Sequence, residues 1–253
     1  MRQKAREPHT AKQSAPMKTA AGIASVEGQP WLARWRDPVL TALLVLLSFQ
    51  VFVGEPLSGT HIPEAPILGV VWFLLVVSAV LVAARHWIAI AAILLSSMVV
   101  LLANILRLQE PSRLTMCLGS GSLIIFLVSL SWVVWKAVYG PGIVTQHRVV
   151  GAVVLYLSIA LLFAALYQIL LALLPNSISG VAPRENYLVL GRGLIYYSLT
   201  TITSTGYGDL LPTHPLTRSV STLEAVIGHM FPATLLARIV ALEIRGRGRN
   251  GAG

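Results

Sequence analysis

The sequence predicts an all-α membrane protein: six transmembrane helices, with a short re-entrant helix and a glycine-containing loop between helices five and six. Three observations lead there. Hydrophobic residues make up 55% of the chain and charged ones only 11%, against about 25% charged in a soluble domain. Six apolar segments approach the roughly 20 residues that cross a bilayer core of about 30 Å. Connections between them are brief except the last, a stretch of about 40 residues holding an apolar piece too short to cross.

The elements follow in order. Residues 1–30 are polar and basic, broken by Pro8, Pro16, Gly22, Gly28 and Pro30, and read as a disordered cytoplasmic arm without a secretory signal. Trp31, Arg34, Trp35 and Arg36 form an aromatic and basic collar suited to a membrane interface. The apolar segments lie at about 38–54, 66–84, 87–106, 117–135, 149–174 and 216–243, with the short piece at 193–203. Domains are expected at 31–140 (a four-helix module), 141–245 (outer helix, short helix, loop, inner helix) and 246–253 (a short tail).

Charge placement orients the chain. With both termini cytoplasmic, the inside set is seven Lys and Arg of the N-terminal region plus Arg85, Lys136, Arg148, Arg238, Arg245, Arg247 and Arg249; the outside set is Arg107, Arg113, Arg184, Arg192 and Arg218. That asymmetry is what the positive-inside rule requires, and it agrees with an even number of spans. The net charge of +9 is thereby explained without nucleic acid, and anionic lipid headgroups are the partner it fits. A single cysteine, Cys117, allows neither an internal disulfide nor a metal cluster.

The chemistry is concentrated in Tyr196-Tyr197-Ser198-Leu199-Thr200-Thr201-Ile202-Thr203-Ser204-Thr205-Gly206-Tyr207-Gly208-Asp209. A hydroxyl-rich short helix runs into a Gly-x-Gly turn between two spans. Irregular backbone at membrane depth survives only where protein buries it or water lines it. Gly206 and Gly208 can take positive φ at little cost, which lets successive carbonyls face the same way. A ring of such carbonyls from several chains can replace a cation's hydration shell.

This segment resembles the pore loop of potassium channels, whose pattern of two aromatics and then Thr-x-Thr-Thr-Val-Gly-Tyr-Gly-Asp lies over residues 196–209 without a gap. Pro212, Pro215 and Leu216 match related bacterial channels, and Gly228 stands 19 residues after Asp209, where the family's inner-helix hinge glycine belongs. The resemblance covers about residues 147–244. It implies a homotetramer conducting K+ passively through a selectivity filter, in a bacterial inner membrane, with no cofactor beyond the permeant ion and no enzymatic activity. The carbonyls of Ser204, Thr205, Gly206 and Tyr207 would coordinate K+, with the Ser204 hydroxyl completing the innermost site. Gly208, Asp209, Tyr196, Tyr197, Thr201 and Thr203 would support the filter. The pore helix, about 193–203, would aim its negative end at the central cavity. Gly228, His229, Pro232 and Leu236 would form the gate and cavity wall, Glu224 would pair behind the filter, and Arg238 would snorkel. For His229 the expectation is a hydrogen bond between helices, with a four-fold ring titrating near neutral pH as the alternative.

Two positions depart from the family. Ser204 replaces a threonine and Thr205 a valine or isoleucine. Serine loses the methyl that stiffens χ1, and the Thr205 hydroxyl needs a partner behind the filter. The alternative is therefore a non-selective monovalent cation channel of the same fold. The fourth segment, Cys117 to Trp135, holds no arginine. Steep voltage gating needs 3–4 charges per subunit, so weak voltage dependence is expected. Small residues at Ser96-Ser97, Gly119-Ser120-Gly121-Ser122, Ser129 and Ser131 read as helix packing. An intramembrane hydrolase built on Ser198 or Ser204 with His214 or His229 lacks any nucleophile-elbow or zinc motif. A secondary transporter would show broken helices in both halves.

Overall fold

Residues 30–54, 65–84, 86–109, 112–139, 146–181 and 187–250 are described in the computed structural model. The expected basic arm, Arg85, Arg184 and residues 251–253 lie outside the described residues, as do the side chains of the Trp31–Arg36 collar, Arg148, Arg245, Arg247 and Arg249. Seven α-helices are described: α1 (Pro30–Phe49), α2 (Ala65–Val82), α3 (Trp87–Gln109), α4 (Arg113–Tyr139), α5 (Gln146–Leu173), α6 (Tyr187–Ile202) and α7 (Pro215–Asn250). A π-helical turn, Gln50–Gly54, extends α1, and a two-stranded antiparallel ribbon joins β1 (Ile178–Ser179) to β2 (Leu211–Pro212).

Four helical stretches among the described residues are long and apolar enough to cross a membrane: Trp87–Arg107, Arg113–Lys136, Val149–Leu173 and Pro215–Arg238. The first two expected spans fall on α1 and α2, whose described apolar stretches are Pro38–Val53 and Gly69–Val82. Apolar side chains such as Trp87, Ile88, Leu95, Met98 and Leu114 stand exposed, as they must where lipid replaces water.

Local chemistry sets the helix ends. Ser112 and Thr115 bond reciprocally: the Thr115 amide donates to Ser112 Oγ at 3.2 Å and the Ser112 amide to Thr115 Oγ1 at 3.1 Å. This is a capping box with threonine in the acidic position, and it starts α4 four residues before the expected segment at 117. Across the α3–α4 turn, the Arg107 guanidinium donates to the carbonyls of Thr115 and Met116 at 3.3 and 3.1 Å. Gly119 makes room for it, since a Cβ there would lie 2.5 Å from the guanidinium. At the next position Ser120 donates to Gln168 of α5 at 2.8 Å. The small-residue run thus packs helices, as the sequence suggests.

The core forms two buried clusters, one among the first helices and one in the region holding the loop. Leu43 and Leu47 of α1, Leu75 and Ala79 of α2, Ile93 of α3, Leu127 and Leu130 of α4, and Ala152 and Leu155 of α5 form one buried cluster. A second cluster joins Met116 of α4 to Phe163, Tyr167 and Leu171 of α5, Ile178 of β1 and Leu190, Leu194 and Tyr197 of α6. That second cluster carries the loop. It also explains why α6 begins at Tyr187 and not at 193: burial of Leu190 and Leu194 outweighs the propensity cost of about 1 kcal/mol each for Gly191 and Gly193.

Candidate functional site

The short helix α6 ends in a Schellman motif, and that motif launches the loop. The Thr205 amide donates to the Thr200 carbonyl at 2.9 Å and the Ser204 amide to the Thr201 carbonyl at 2.9 Å, while Ser204 takes a left-handed φ of 55°. These are the two bonds and the one left-handed residue of the motif, at a position glycine usually fills. Sequence reasoning placed Ser204 at the innermost ion site but missed this role. No glycine marked it.

The four carbonyls at the C-terminus of α6 all have donors. Leu199 accepts the Thr203 amide at 3.2 Å, Thr200 accepts the amides of Thr205 and Gly206 at 2.9 and 3.1 Å, and Thr201 accepts Ser204. The Ile202 carbonyl accepts the Tyr156 hydroxyl of α5 at 3.1 Å. The end of a helix otherwise leaves such groups orphaned; here they anchor the loop and the outer helix. Tyr156 was not anticipated, although a tyrosine inside an apolar span demands a partner for its hydroxyl.

Beyond the cap, positive φ recurs at every second residue: Ser204 at 55°, Gly206 at 48° and Gly208 at 82°, with Thr205 and Tyr207 between them outside that region. The ribbon is exposed from Thr203 through Asp209. Thr203 Oγ1 lies 3.0 Å from Thr205 Oγ1, and on α6 Thr201 Oγ1 donates to the Tyr197 carbonyl at 2.8 Å. The Thr205 hydroxyl has the partner it required.

The two aromatics of α6 part company. Tyr196 stacks parallel to Tyr207, with an interplanar angle of 2° and centroids 6.2 Å apart. Tyr197 turns inward, edge-on to Tyr167 at 5.0 Å, and its hydroxyl lies 2.7 Å from Ser221 Oγ of α7. Tyr197 therefore braces α6 against α5 and α7, while Tyr196 alone meets the ribbon.

At its far end, β1 and β2 clasp the ribbon. Ile178 pairs with Pro212 and Ser179 with Leu211, and the Thr213 amide donates to the Ser177 carbonyl at 2.9 Å. Gly180, at φ 81°, passes so close that a Cβ would lie 2.2 Å from the Asp209 carbonyl oxygen. Asp209 itself is exposed, its Oδ1 accepting the Leu210 amide at 3.1 Å. His214 caps α7 by accepting the Leu216 amide on Nδ1 at 3.2 Å, and Pro215 occupies the first turn, where its missing N–H costs nothing.

Behind α6 lies a buried polar network centred on Glu224, which is wholly inaccessible to solvent. Tyr167 donates to its Oε2 at 2.6 Å, and Ser198 bonds its Oε1. Ser198 also lies 2.6 Å from the Ala160 carbonyl. Ser221 receives Tyr167 at 3.2 Å and donates to Thr217 at 2.9 Å. Glu224 is thus paired behind the ribbon, joining α5, α6 and α7, as the sequence reading has it. The partners Tyr167, Ser198 and Ser221 were not anticipated.

On α7, His229, Pro232 and Leu236 are exposed on the single chain, and their i, i+3, i+7 spacing puts them on one face. His229 Nδ1 lies 3.0 Å from Ser204 Oγ. Gly228 faces the other way. It is buried, and a Cβ there would lie 1.9 Å from the Ile202 carbonyl oxygen. The helix continues through both Gly228 and Pro232 to Asn250, past the expected end at 243. Arg238 donates to the Tyr139 carbonyl at 2.9 Å and lies 4.3 Å over the Tyr139 ring, at the end of α4.

Compared with known families, residues 155–244 match a family described as Ion channel. The match spans the last part of α5, the β ribbon, α6, the loop and most of α7. No curated protein and no solved structure matched the chain.

Proposed function

We propose, from the match of residues 155–244 to the ion-channel family, that the chain is one subunit of a tetrameric potassium-selective channel. It crosses the cell (inner) membrane six times with both termini cytoplasmic, and it is not an enzyme. The observation that carries this reading is the alternation of positive φ at Ser204, Gly206 and Gly208. Alternation of left-handed with ordinary residues turns successive carbonyls of an extended ribbon to one side. The carbonyls of Ser204, Thr205, Gly206 and Tyr207 then replace the hydration shell of K+, and Asp209 concentrates cations at the mouth.

One chain supplies one quarter of such a ring, so cyclic closure is required. In keeping with this, only 17% of the Pro215–Arg238 window is buried within the chain, against 56% for Val149–Leu173. The face of α7 that carries His229, Pro232 and Leu236 is left for the central cavity and for neighbouring copies. In this reading α6 points its negative end at the cavity, and the shorter stretches in α1 and α2 complete the spans with flanking residues. Anionic lipid meets the basic cytoplasmic segments.

The test is ion flux from liposomes containing the purified full chain. Wild type is expected to pass K+, with a reversal potential in mixed K+ and Na+ that follows the K+ gradient. A potential that ignores the difference between the two ions would favour the non-selective cation channel. Gly206→Ala places a Cβ at φ 48°, at a cost of about 1–2 kcal/mol per subunit, and is expected to lower K+ flux at least about tenfold. Because nothing lies within 4 Å of that Cβ in the chain, the variant should still assemble. Undiminished flux would overturn the reading.

A further inference from the structure

We propose that His229 is a positioning residue for ion coordination: its Nδ1 accepts the Ser204 hydroxyl proton and so leaves the Ser204 Oγ lone pairs free for a dehydrated cation. This rests on the conduction reading and extends it to a residue outside the loop. A serine hydroxyl has one proton and two acceptor lone pairs. A proton turned toward a bare cation repels it, so an ion site lined by this oxygen needs the proton held elsewhere.

The threonines of α6 hold theirs on their own helix. Thr200 and Thr201 donate to the Tyr197 carbonyl at 3.0 and 2.8 Å, and Thr203 to the Leu199 carbonyl at 2.7 Å. Ser204 has left that ladder, because its φ of 55° turns the side chain off the helix axis. Its neighbour is His229 Nδ1 at 3.0 Å, from a residue 25 positions on. The other polar atom near Nδ1 is the Ala225 carbonyl at 3.3 Å. A carbonyl only accepts, so the longer Ala225 contact calls for a proton on Nδ1, whereas the shorter Ser204 contact does not; with the ring proton placed on Nε2, as proposed, Nδ1 accepts from the Ser204 O–H. The same bond ties the cap of α6 to the face of α7, so the innermost ion site and the cavity wall are held in one geometry.

A double-mutant cycle on the full chain in liposomes tests this, reading K+ flux, K+/Na+ permeability ratio and K+-dependent thermal stabilisation in detergent. Ser204→Ala and His229→Leu should each lower flux and permeability ratio by about two- to tenfold, the worth of one net hydrogen bond. The double variant should be no worse than either single one. His229→Asn, whose Oδ1 stands near the place of Nδ1, should restore values to within about twofold of wild type. Multiplying effects, an unaffected His229→Leu, or an Asn variant no better than Leu would overturn the proposal. Should His229→Leu fail to assemble, His229→Ala takes its place in the cycle. Wild-type flux abolished by Gly206→Ala alongside additive 204 and 229 effects would sink the positioning role and leave conduction standing. Absence of wild-type flux would sink both.

Discussion

Gly228→Ala is expected to impair both assembly and K+ flux, with the purified protein losing its thermal transition or showing it about 2–12 °C lower. A Cβ at 228 would stand 1.9 Å from the Ile202 carbonyl oxygen, 2.7 Å from the Ile202 carbonyl carbon and 2.9 Å from Ile202 Cγ1. Two of these three atoms are backbone, so no rotamer change relieves the clash; α6 and α7 must move apart. Overpacking of this kind costs about 1–3 kcal/mol or more, and for a chain of this size each kcal/mol moves the transition by about 2–4 °C. The displaced carbonyl is also the acceptor for Tyr156 at 3.1 Å, so the same shift pulls α5 off the end of α6.

The family resemblance gives Gly228 a different part, that of a hinge. The two parts predict opposite signs. A hinge glycine in a helix interior is replaced by alanine with a gain in helix propensity of about 1 kcal/mol, and its loss shows in gating while the fold persists. A glycine at a close backbone crossing is replaced with loss of the fold. A Gly228→Ala protein that assembles with an unchanged or higher transition temperature would refute the close-contact role. Shortening the neighbour does not help: Ile202→Ala removes only the Cγ1 contact, so Gly228→Ala with Ile202→Ala should remain as damaged as the single variant.

That case shows where the sequence is legible and where it stops. Composition and segment lengths suffice for a multi-pass helical membrane protein. The glycine spacing suffices for positive φ at Gly206 and Gly208, since little else adopts it cheaply. Ser204 adopts it too, and nothing local announces that, because the position is set by the hydrogen bonds of the α6 cap to Thr200 and Thr201. A hinge glycine and a contact glycine are the same letter; only the crossing of α6 and α7 separates them. The start of α4 was readable in principle from Ser112 and Thr115, whose reciprocal bonding stands in for the usual Ser-x-x-Glu signature. Arg238 and Tyr139 lie 99 residues apart, and no periodicity within one helix pairs them.

Glu224 supplies the second large effect, and its two substitutions should diverge. Glu224→Ala is expected to lower the transition temperature by about 6–12 °C, and to reduce K+ selectivity in whatever protein assembles. It removes both acceptor atoms from a site with no solvent access. The Tyr167 hydroxyl, donating at 2.6 Å, is left with the longer bond to Ser221 at 3.2 Å, whose oxygen already meets Tyr197 at 2.7 Å. A buried donor deprived of its acceptor costs about 1–3 kcal/mol, and the cavity left by the missing carboxymethylene adds to it in proportion to its volume. The total of about 3 kcal/mol corresponds to the stated shift. Glu224→Gln should stay within about 3 °C of wild type. Its amide oxygen can accept from Tyr167, and its amide nitrogen can donate to Ser198 Oγ, which frees the Ser198 proton for the Ala160 carbonyl at 2.6 Å. Every hydroxyl then keeps a partner, and volume is conserved. Since Ser198 and Tyr197 belong to α6, the helix that launches the ribbon, the alanine variant loosens the ribbon from behind without touching it. Equal damage from glutamine and alanine would show that the network depends on a carboxyl group in particular. No damage from either would remove it from the support of the Ser204–Asp209 ribbon altogether.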